Sequence, residues 1–144
     1  MQIRYYKEYS RYLNRDMEFK VYGHAGRPIL IFPCQSGRFF DWEDRNMCNL
    51  AAPWIDAGKL QIIAADSIDR ESWDNDGPAR PRIEMQERWY NYVCEELTPR
   101  ALEINREQGP DHMGKVLVGG ASMGAGHAST YFCAVPTCIT APLP

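Results

Sequence analysis

One serine of the chain, Ser122, lies in a sequence pattern that is typical of nucleophiles. It is the central residue of Gly120-Ala121-Ser122-Met123-Gly124, which follows the apolar run 115–119 and precedes a stretch of small residues. Gly-x-Ser-x-Gly between a strand and a helix predicts a sharp turn that lifts the serine hydroxyl above the end of a parallel sheet. A substrate carbonyl group and a general base can both reach such a hydroxyl, so the pattern indicates acyl-transfer chemistry. A serine that only caps the helix is the alternative.

Acyl transfer also needs two N–H donors directed at the oxygen that becomes negatively charged. The backbone N–H of Met123 is the first candidate, because it directly follows the serine. The second donor is expected in a loop after an earlier central strand, and there Gln35 is the best-placed residue of the segment 34–38. For this segment, the alternative is an ordinary turn at the end of a strand.

A serine nucleophile also needs a histidine base that a carboxylate orients. The chain has three histidines, His24, His112 and His127. His127 lies on the helix that follows Ser122, and the turn points the hydroxyl away from that helix, so we expect a structural or surface role. His24 precedes a core strand, and His112 lies in the loop that feeds the strand before Ser122. None of the three fits the role of the base.

Acidic residues follow the second core strand, where ligand groups gather in open α/β sheets. Asp66, Asp69 and Glu71 lie in a polar stretch that is rich in Asp, Gly and Pro. We expect a solvated loop there, with contacts to a substrate as the alternative.

The segments that would position these residues alternate between strands and helices. Polar and apolar residues alternate in 3–9 and 16–21, which predicts a half-exposed β-hairpin. Continuous apolar runs at 28–32, 60–65 and 115–119 predict strands that are covered on both faces, as in a parallel sheet. The sequence therefore predicts an α/β fold in which an N-terminal hairpin leads into a mainly parallel sheet flanked by helices.

Two helices are predicted between the core strands. The first spans residues 45–57 and ends at Gly58. The second follows a polar loop at 66–81, and its apolar residues recur every four positions from Met85 to Ala101. Pro99 is expected to kink or divide this second helix, because proline removes a backbone donor.

Composition narrows the classes of partner. The net charge of −3 and the pI near 5.6 disfavour binding to nucleic acid or to an anionic membrane. No apolar run approaches the roughly 20 residues of a membrane span, and no secretory signal is recognisable at the N-terminus, so a cytoplasmic location is expected. The five cysteines show no metal-ligand spacing and are expected to be reduced thiols.

Six segments together carry a family resemblance. They are residues 5–10, 16–24, 32–35, 52–55, 66–69 and 120–124. The chain from Met1 to about Phe132 resembles bacterial esterases of the esterase D-like branch of the α/β-hydrolase fold. The resemblance implies hydrolysis of a small-molecule carboxylic ester by a Ser-His-Asp triad, without a metal or an organic cofactor. It also implies that Ser122 is the nucleophile and that Met123 and Gln35 supply the oxyanion donors.

The chain departs from that family after the nucleophile helix. The family's later aspartate and histidine have no counterpart, and relatives would continue with Arg-Arg-Pro-Asp-Leu where this chain has residues 133–138. One set of codons for residues 133–138 encodes that continuation in a shifted frame. We therefore expect residues 1–132 to be the N-terminal part of an α/β-hydrolase domain, and residues 133–144 to be a frameshifted tail.

This interpretation has two consequences. The strand at 116–118 would become an exposed apolar edge, through which the chain could self-associate. Without the triad partners, catalysis would be very slow, and the alternative function is a non-catalytic binding or interaction protein on the same scaffold.

Overall fold

The computed structural model describes residues 1–109, 114–134 and 139–142. Within these ranges, six strands form one mixed sheet in the order β1-β2-β4-β3-β5-β6. The strands are β1 (Ile3–Ser10), β2 (Arg15–Tyr22), β3 (Arg27–Phe32), β4 (Leu60–Ala65), β5 (Val116–Gly120) and β6 (Ile139–Pro142). The α/β class and the hairpin at the start of the chain, both predicted from the sequence, are confirmed.

The hairpin of β1 and β2 forms one side of the sheet. The two strands pair antiparallel from Ile3 opposite Tyr22 to Ser10 opposite Arg15. Asn14 adopts a left-handed conformation (φ 54°) in the connecting turn, which asparagine tolerates better than most residues. β2 then pairs antiparallel with β4, and in this way the hairpin is joined to the parallel strands.

The parallel strands β4, β3 and β5 form the centre of the sheet. Ile29 of β3 lies opposite Ile62 of β4 on one side and opposite Leu117 of β5 on the other. Alternate residues of β3 enter two separate hydrophobic clusters, one containing Leu30 and Phe32 and the other Ile29 and Ile31. Burial on both faces explains why these strands are continuously apolar in sequence.

The segment after β3 differs from its prediction. The sequence predicted one helix over residues 45–57, but the structure has three short helices, α1 (Asp41–Asp44), α2 (Met47–Leu50) and α3 (Ala52–Asp56). Asn46 has a φ of 61°, which a continuous helix cannot accommodate, and Pro53 lies in the first turn of α3. The helices cover the smaller cluster through Cys48 and Ile55.

The long helix after β4 is divided, as the proline predicted. α4 (Ala79–Tyr92) continues into a π-helical segment (Val93–Leu97), and α5 (Thr98–Arg106) follows. Pro99 lies at the start of α5, where its missing N–H has the least effect. The predicted loop 66–81 ends earlier than expected, because α4 begins at Ala79 and takes Pro81 into its first turn. A short 3₁₀ turn (Asp69–Glu71) lies within that loop.

Strand β5, which precedes Ser122, is not an edge of the described sheet, as we had expected it to be. β6 pairs parallel with β5, with an irregular register between Val116 and Val118, and both valines are fully buried. The prediction of an exposed edge at residues 116–118 is therefore wrong. α6 (Met123–Ala134) follows β5, and the assignment of residues 133–144 to a frameshifted tail stays a prediction. Among the described helices, none has the length and apolar character to span a bilayer.

Candidate active site

Ser122 occupies a sharp turn between β5 and α6. The strand ends at Gly120, the helix begins at Met123, and Ser122 between them is exposed to solvent. Its φ is 57°, a left-handed conformation that residues other than glycine rarely adopt. Gly124 donates its N–H to the carbonyl oxygen of Ala121 at 3.0 Å, and Ala125 donates to that of Ser122 at 3.1 Å, so the serine lies within the first hydrogen-bonded turn of the helix. The surrounding structure therefore imposes the turn and presents the hydroxyl at the carboxyl end of β5.

Two glycines allow this turn to lie directly on the neighbouring strand. A Cβ atom added at Gly124 would lie 2.4 Å from the carbonyl oxygens of both Phe32 and Pro33. One added at Gly120 would lie 2.5 Å from the carbonyl group of Gly124. No side chain fits such distances, so the two outer glycines of the pattern are required by backbone contact. The start of α6 is thus held against the end of β3.

The loop after β3, residues 34–37, forms a hydrogen-bonded turn beside that contact. The N–H of Gly37 donates to the carbonyl oxygen of Cys34 at 2.8 Å. Ser36, the third residue of the turn, has a φ of 53°, and a positive φ at this position is typical of type II turns. Gln35, the second residue, is exposed.

Three of the four N–H groups in this loop have partners. Besides the Gly37 bond, Cys34 donates to Oδ2 of Asp41 at 3.1 Å, and Ser36 donates to Oδ2 of Asp69 at 3.0 Å. Among the described residues, no hydrogen bond uses the N–H of Gln35. Within the described residues, the loop therefore leaves one backbone donor available, the N–H of Gln35, which is the donor predicted from the sequence.

Side chains from two directions fix the loop. Ser67 donates its hydroxyl to the carbonyl oxygen of Gly37 at 2.7 Å, and Ser36 donates its hydroxyl to Asp74 at 2.6 Å. Burial raises the pKa of Asp41, but hydrogen bonds from the Cys34 N–H and from Arg45 outweigh it and hold that pKa below its ordinary value. Asp41 is therefore ionised at neutral pH and accepts the Cys34 N–H as a charged group.

His127 lies buried in the interior. Its Nε2–H group donates to Oδ1 of Asp69 at 2.9 Å, and the hydroxyl of Tyr90 lies 3.2 Å from Nδ1. The ring packs 4.8 Å from the ring of Trp89 and 6.3 Å from that of Phe32, measured between centroids. Both ring nitrogens are therefore occupied by protein partners, which leaves neither one to accept a proton from Ser122.

The acidic loop is not solvated as expected. Asp69 is 1% exposed and Asp66 is 6% exposed, whereas Glu71 is exposed and pairs with Arg15. Arg38 holds both carboxylate oxygens of Asp66, at 2.8 and 3.0 Å. Burial raises the pKa of Asp66, and the guanidinium of Arg38 opposes that rise. The prediction of a solvated loop is therefore wrong for both aspartates.

A cleft of about 390 Å³ lies beside the loop, between β2 and the segment after β4. Its lining includes Ser36, Gly37, Arg38, Ser67 and Ile68. The cleft is large enough for a small molecule, and polar groups dominate its lining.

Of the two remaining histidines, the structure describes His24, which lies far from Ser122. His24 lies beside Gly58, whose added Cβ would be 3.2 Å from its Nε2, at the amino end of β4. Ser122 lies at the opposite, carboxyl end of the parallel strands, and His112 lies outside the described residues. Within the described ranges, no histidine hydrogen-bonds to Ser122, and no cluster of potential metal ligands occurs.

Solved structures of esterases share this fold. An S-formylglutathione hydrolase from Agrobacterium tumefaciens is 18% identical and superimposes with a TM-score of 0.69, covering 97% of this chain and 57% of its own. A ferulic acid esterase from Anaeromyces mucronatus is 14% identical with a TM-score of 0.71, and the superposition covers 99% of this chain and 58% of that structure. An IroE-like serine hydrolase from Shewanella oneidensis is 16% identical with a TM-score of 0.63, and the superposition covers 98% of this chain and 49% of that structure.

Sequence comparisons add no closer relation. No family model matches the chain, and no curated protein matches it. The chain spans between about half and three fifths of the three solved structures just described. These comparisons establish the fold: the described residues share the α/β architecture of these solved hydrolases, over part of the length of each.

Proposed function

We propose that this chain carries the nucleophile and the oxyanion donors of a serine esterase that acts on small-molecule carboxylic esters. Ser122 is the proposed nucleophile, and the N–H groups of Met123 and Gln35 are the proposed donors. The observation that carries the proposal is the Gln35 N–H, which has no partner among the described residues and lies in a loop that leaves the end of β3 where α6 begins. The esterase structures with the same fold support the reaction class.

In the proposed reaction, Oγ of Ser122 attacks the carbonyl carbon of the ester and its proton passes to a base. The two N–H groups stabilise the tetrahedral oxyanion by hydrogen bonds, and this stabilisation is largest where water is excluded. The intermediate then expels the alcohol, which takes up the proton, and leaves an acyl-serine. Water hydrolyses the acyl-serine to the carboxylic acid and restores the serine.

We further propose that the chain as it stands turns esters over very slowly. The described residues offer Ser122 no histidine base, since both ring nitrogens of His127 have partners. Removal of triad members typically costs about 10⁴- to 10⁶-fold in rate, while the oxyanion donors alone preserve some catalysis.

Hydrolysis of p-nitrophenyl acetate tests this part of the proposal. We expect steady-state turnover to stay close to the buffer rate both in the wild-type chain and in the Ser122→Ala variant, because hydrolysis of the acyl-serine also needs a base; one slow acylation of Ser122 is consistent with this result. Rapid turnover that Ser122→Ala removes would show that a base acts on Ser122 and would contradict the proposed slow rate.

A non-catalytic binding protein on the same scaffold is the second candidate. Two observations favour it: the hydrogen bond that holds His127 on Asp69, and the polar cleft beside the loop. Such a protein would hold a small molecule in the cleft without forming a covalent bond to Ser122.

Two further expectations stay predictions. Self-association through a sheet edge would now involve β6 or β1, the outer strands of the described sheet. The cytoplasmic location also stays a prediction from the sequence.

A further inference from the structure

One buried carboxylate contacts both segments that carry the proposed oxyanion donors, the loop 34–37 and the helix α6. Oδ2 of Asp69 accepts the N–H of Ser36 at 3.0 Å, and Oδ1 accepts the Nε2–H of His127 at 2.9 Å. Ser36 adjoins Gln35 in the loop, and His127 lies on α6, the helix that begins at Met123. These two contacts, the carboxylate bridge, connect the loop to the helix across 33 and 58 residues of sequence.

We propose that Asp69 is a positioning residue that fixes the loop 34–37 relative to the start of α6, so that the Gln35 and Met123 N–H groups converge on one oxygen. The inference rests on the proposed function for the role of those donors. Position matters because a displacement of about 1 Å at a reacting centre can cost about 100-fold in rate.

The chemistry of the bridge suits this role. A carboxylate only accepts hydrogen bonds, so Nε2 of His127 must carry a proton, and in the neutral ring the Tyr90 hydroxyl donates to Nδ1. Hydrogen bonds to a charged acceptor are shorter and about twice as strong as neutral ones. Asp69 and His127 are each 1% exposed, so water does not compete for these contacts.

The loop needs such a support. Ser36 holds a positive φ, which is unfavourable for a serine, and its N–H points into the interior. The bond to Asp69 satisfies that N–H and holds Ser36 in the turn, in which the N–H of the adjacent Gln35 has no acceptor among the described residues. Asp69 is itself fixed, because the Asp74 N–H donates to its carbonyl oxygen at 2.7 Å.

Hydrogen exchange at the Ser36 amide tests the bridge without reference to activity. Asp69→Ala removes both acceptor oxygens, and we expect the Ser36 amide to exchange about tenfold faster or more. His127→Asn has too short a side chain to reach Asp69 and should give the same result. His127→Gln can place its amide nitrogen near the position of Nε2 and should keep exchange close to wild type. Glu71→Gln, in the same turn but exposed, is the charge-matched control.

The strand amides of β3 distinguish positioning from stability. The proposal requires faster exchange at Ser36 while the amides of β3 keep their wild-type rates. It is overturned if Ser36 exchanges equally in His127→Asn and His127→Gln, or if β3 accelerates by the same factor as Ser36. If Asp69→Ala does not fold, the comparison of His127→Asn with His127→Gln decides between the two outcomes. Failure of Ser122 to react with esters or phosphonates would overturn only the proposed function, because the exchange rates do not depend on it.

Discussion

The Gln35→Pro variant is expected to react with a fluorophosphonate about 100- to 1000-fold more slowly than the wild-type chain, the usual effect of losing one oxyanion donor. Proline removes the Gln35 N–H, which has no partner among the described residues. Position 35 is the second residue of the turn 34–37, where proline is favoured, so the loop should keep its shape. The rate of adduct formation at Ser122 is the measurement.

Gln35→Ala is the matched control, because it removes the side chain and keeps the N–H. We expect its rate to lie within about threefold of wild type, since backbone donors depend little on their side chain. The thermal midpoints of the two variants should match the wild-type value, as neither loses a backbone bond. Equal rates for Gln35→Pro and Gln35→Ala would assign the second donor elsewhere.

Gly124→Ala is expected to destabilise the fold by about 3 kcal/mol or more, which places it among the largest single-residue effects. The new Cβ would lie 2.4 Å from the carbonyl oxygens of Phe32 and Pro33, and backbone atoms cannot yield as a side chain can. α6 must therefore move away from β3, and Ser122 moves with it. Denaturant unfolding measures the loss, and the phosphonylation rate should fall together with stability.

Gly126→Ala is the control for this prediction. It lies one half-turn further along the same helix, and an added Cβ meets no atom within 4 Å. Alanine is preferred over glycine in a helix by about 1 kcal/mol, so this variant should be more stable than wild type. If the two variants changed stability in the same direction, steric contact at Gly124 would not be the cause.

Sequence reasoning found the elements whose signal is local. The strands β3, β4 and β5 were predicted from continuous apolar runs, and the structure confirms all three. The bounds of β4 match the prediction, β3 begins one residue earlier, at Arg27, and β5 lies one residue later, at Val116–Gly120. The turn at Ser122 was recognisable because Gly120 and Gly124 are demanded by backbone contact. The prediction of one helix over 45–57 was wrong because Asn46 adopts a left-handed conformation. Asparagine tolerates that conformation, but its presence in a sequence does not predict it.

The interior of the site depends on contacts that sequence spacing does not encode. Asp69 looked like part of a solvated loop, because Asp, Gly and Pro surround it. It is buried only because His127 and Ser36 come to it from distant parts of the chain. The one available signal was its place at the carboxyl end of β4, where ligand groups and functional carboxylates gather.

The burial of β5 also depends on a segment later in the chain. β5 is covered by β6, whose residues Ile139–Pro142 carry no strong strand pattern, and Pro142 itself pairs with Val118. Proline is tolerated there because β6 is an outer strand of the described sheet.

We propose that the turn at Ser122 and the N–H groups of Gln35 and Met123 make this serine more reactive than an ordinary one. Incubation with a fluorophosphonate, followed by peptide mapping, tests it most directly, because attack by Oγ forms the P–O bond and expels fluoride. We predict a single adduct on Ser122 that forms faster than reaction at any other serine and is absent from Ser122→Ala. An unlabelled Ser122, or labelling spread over other exposed serines at the same rate, would contradict the account and favour the non-catalytic binding protein.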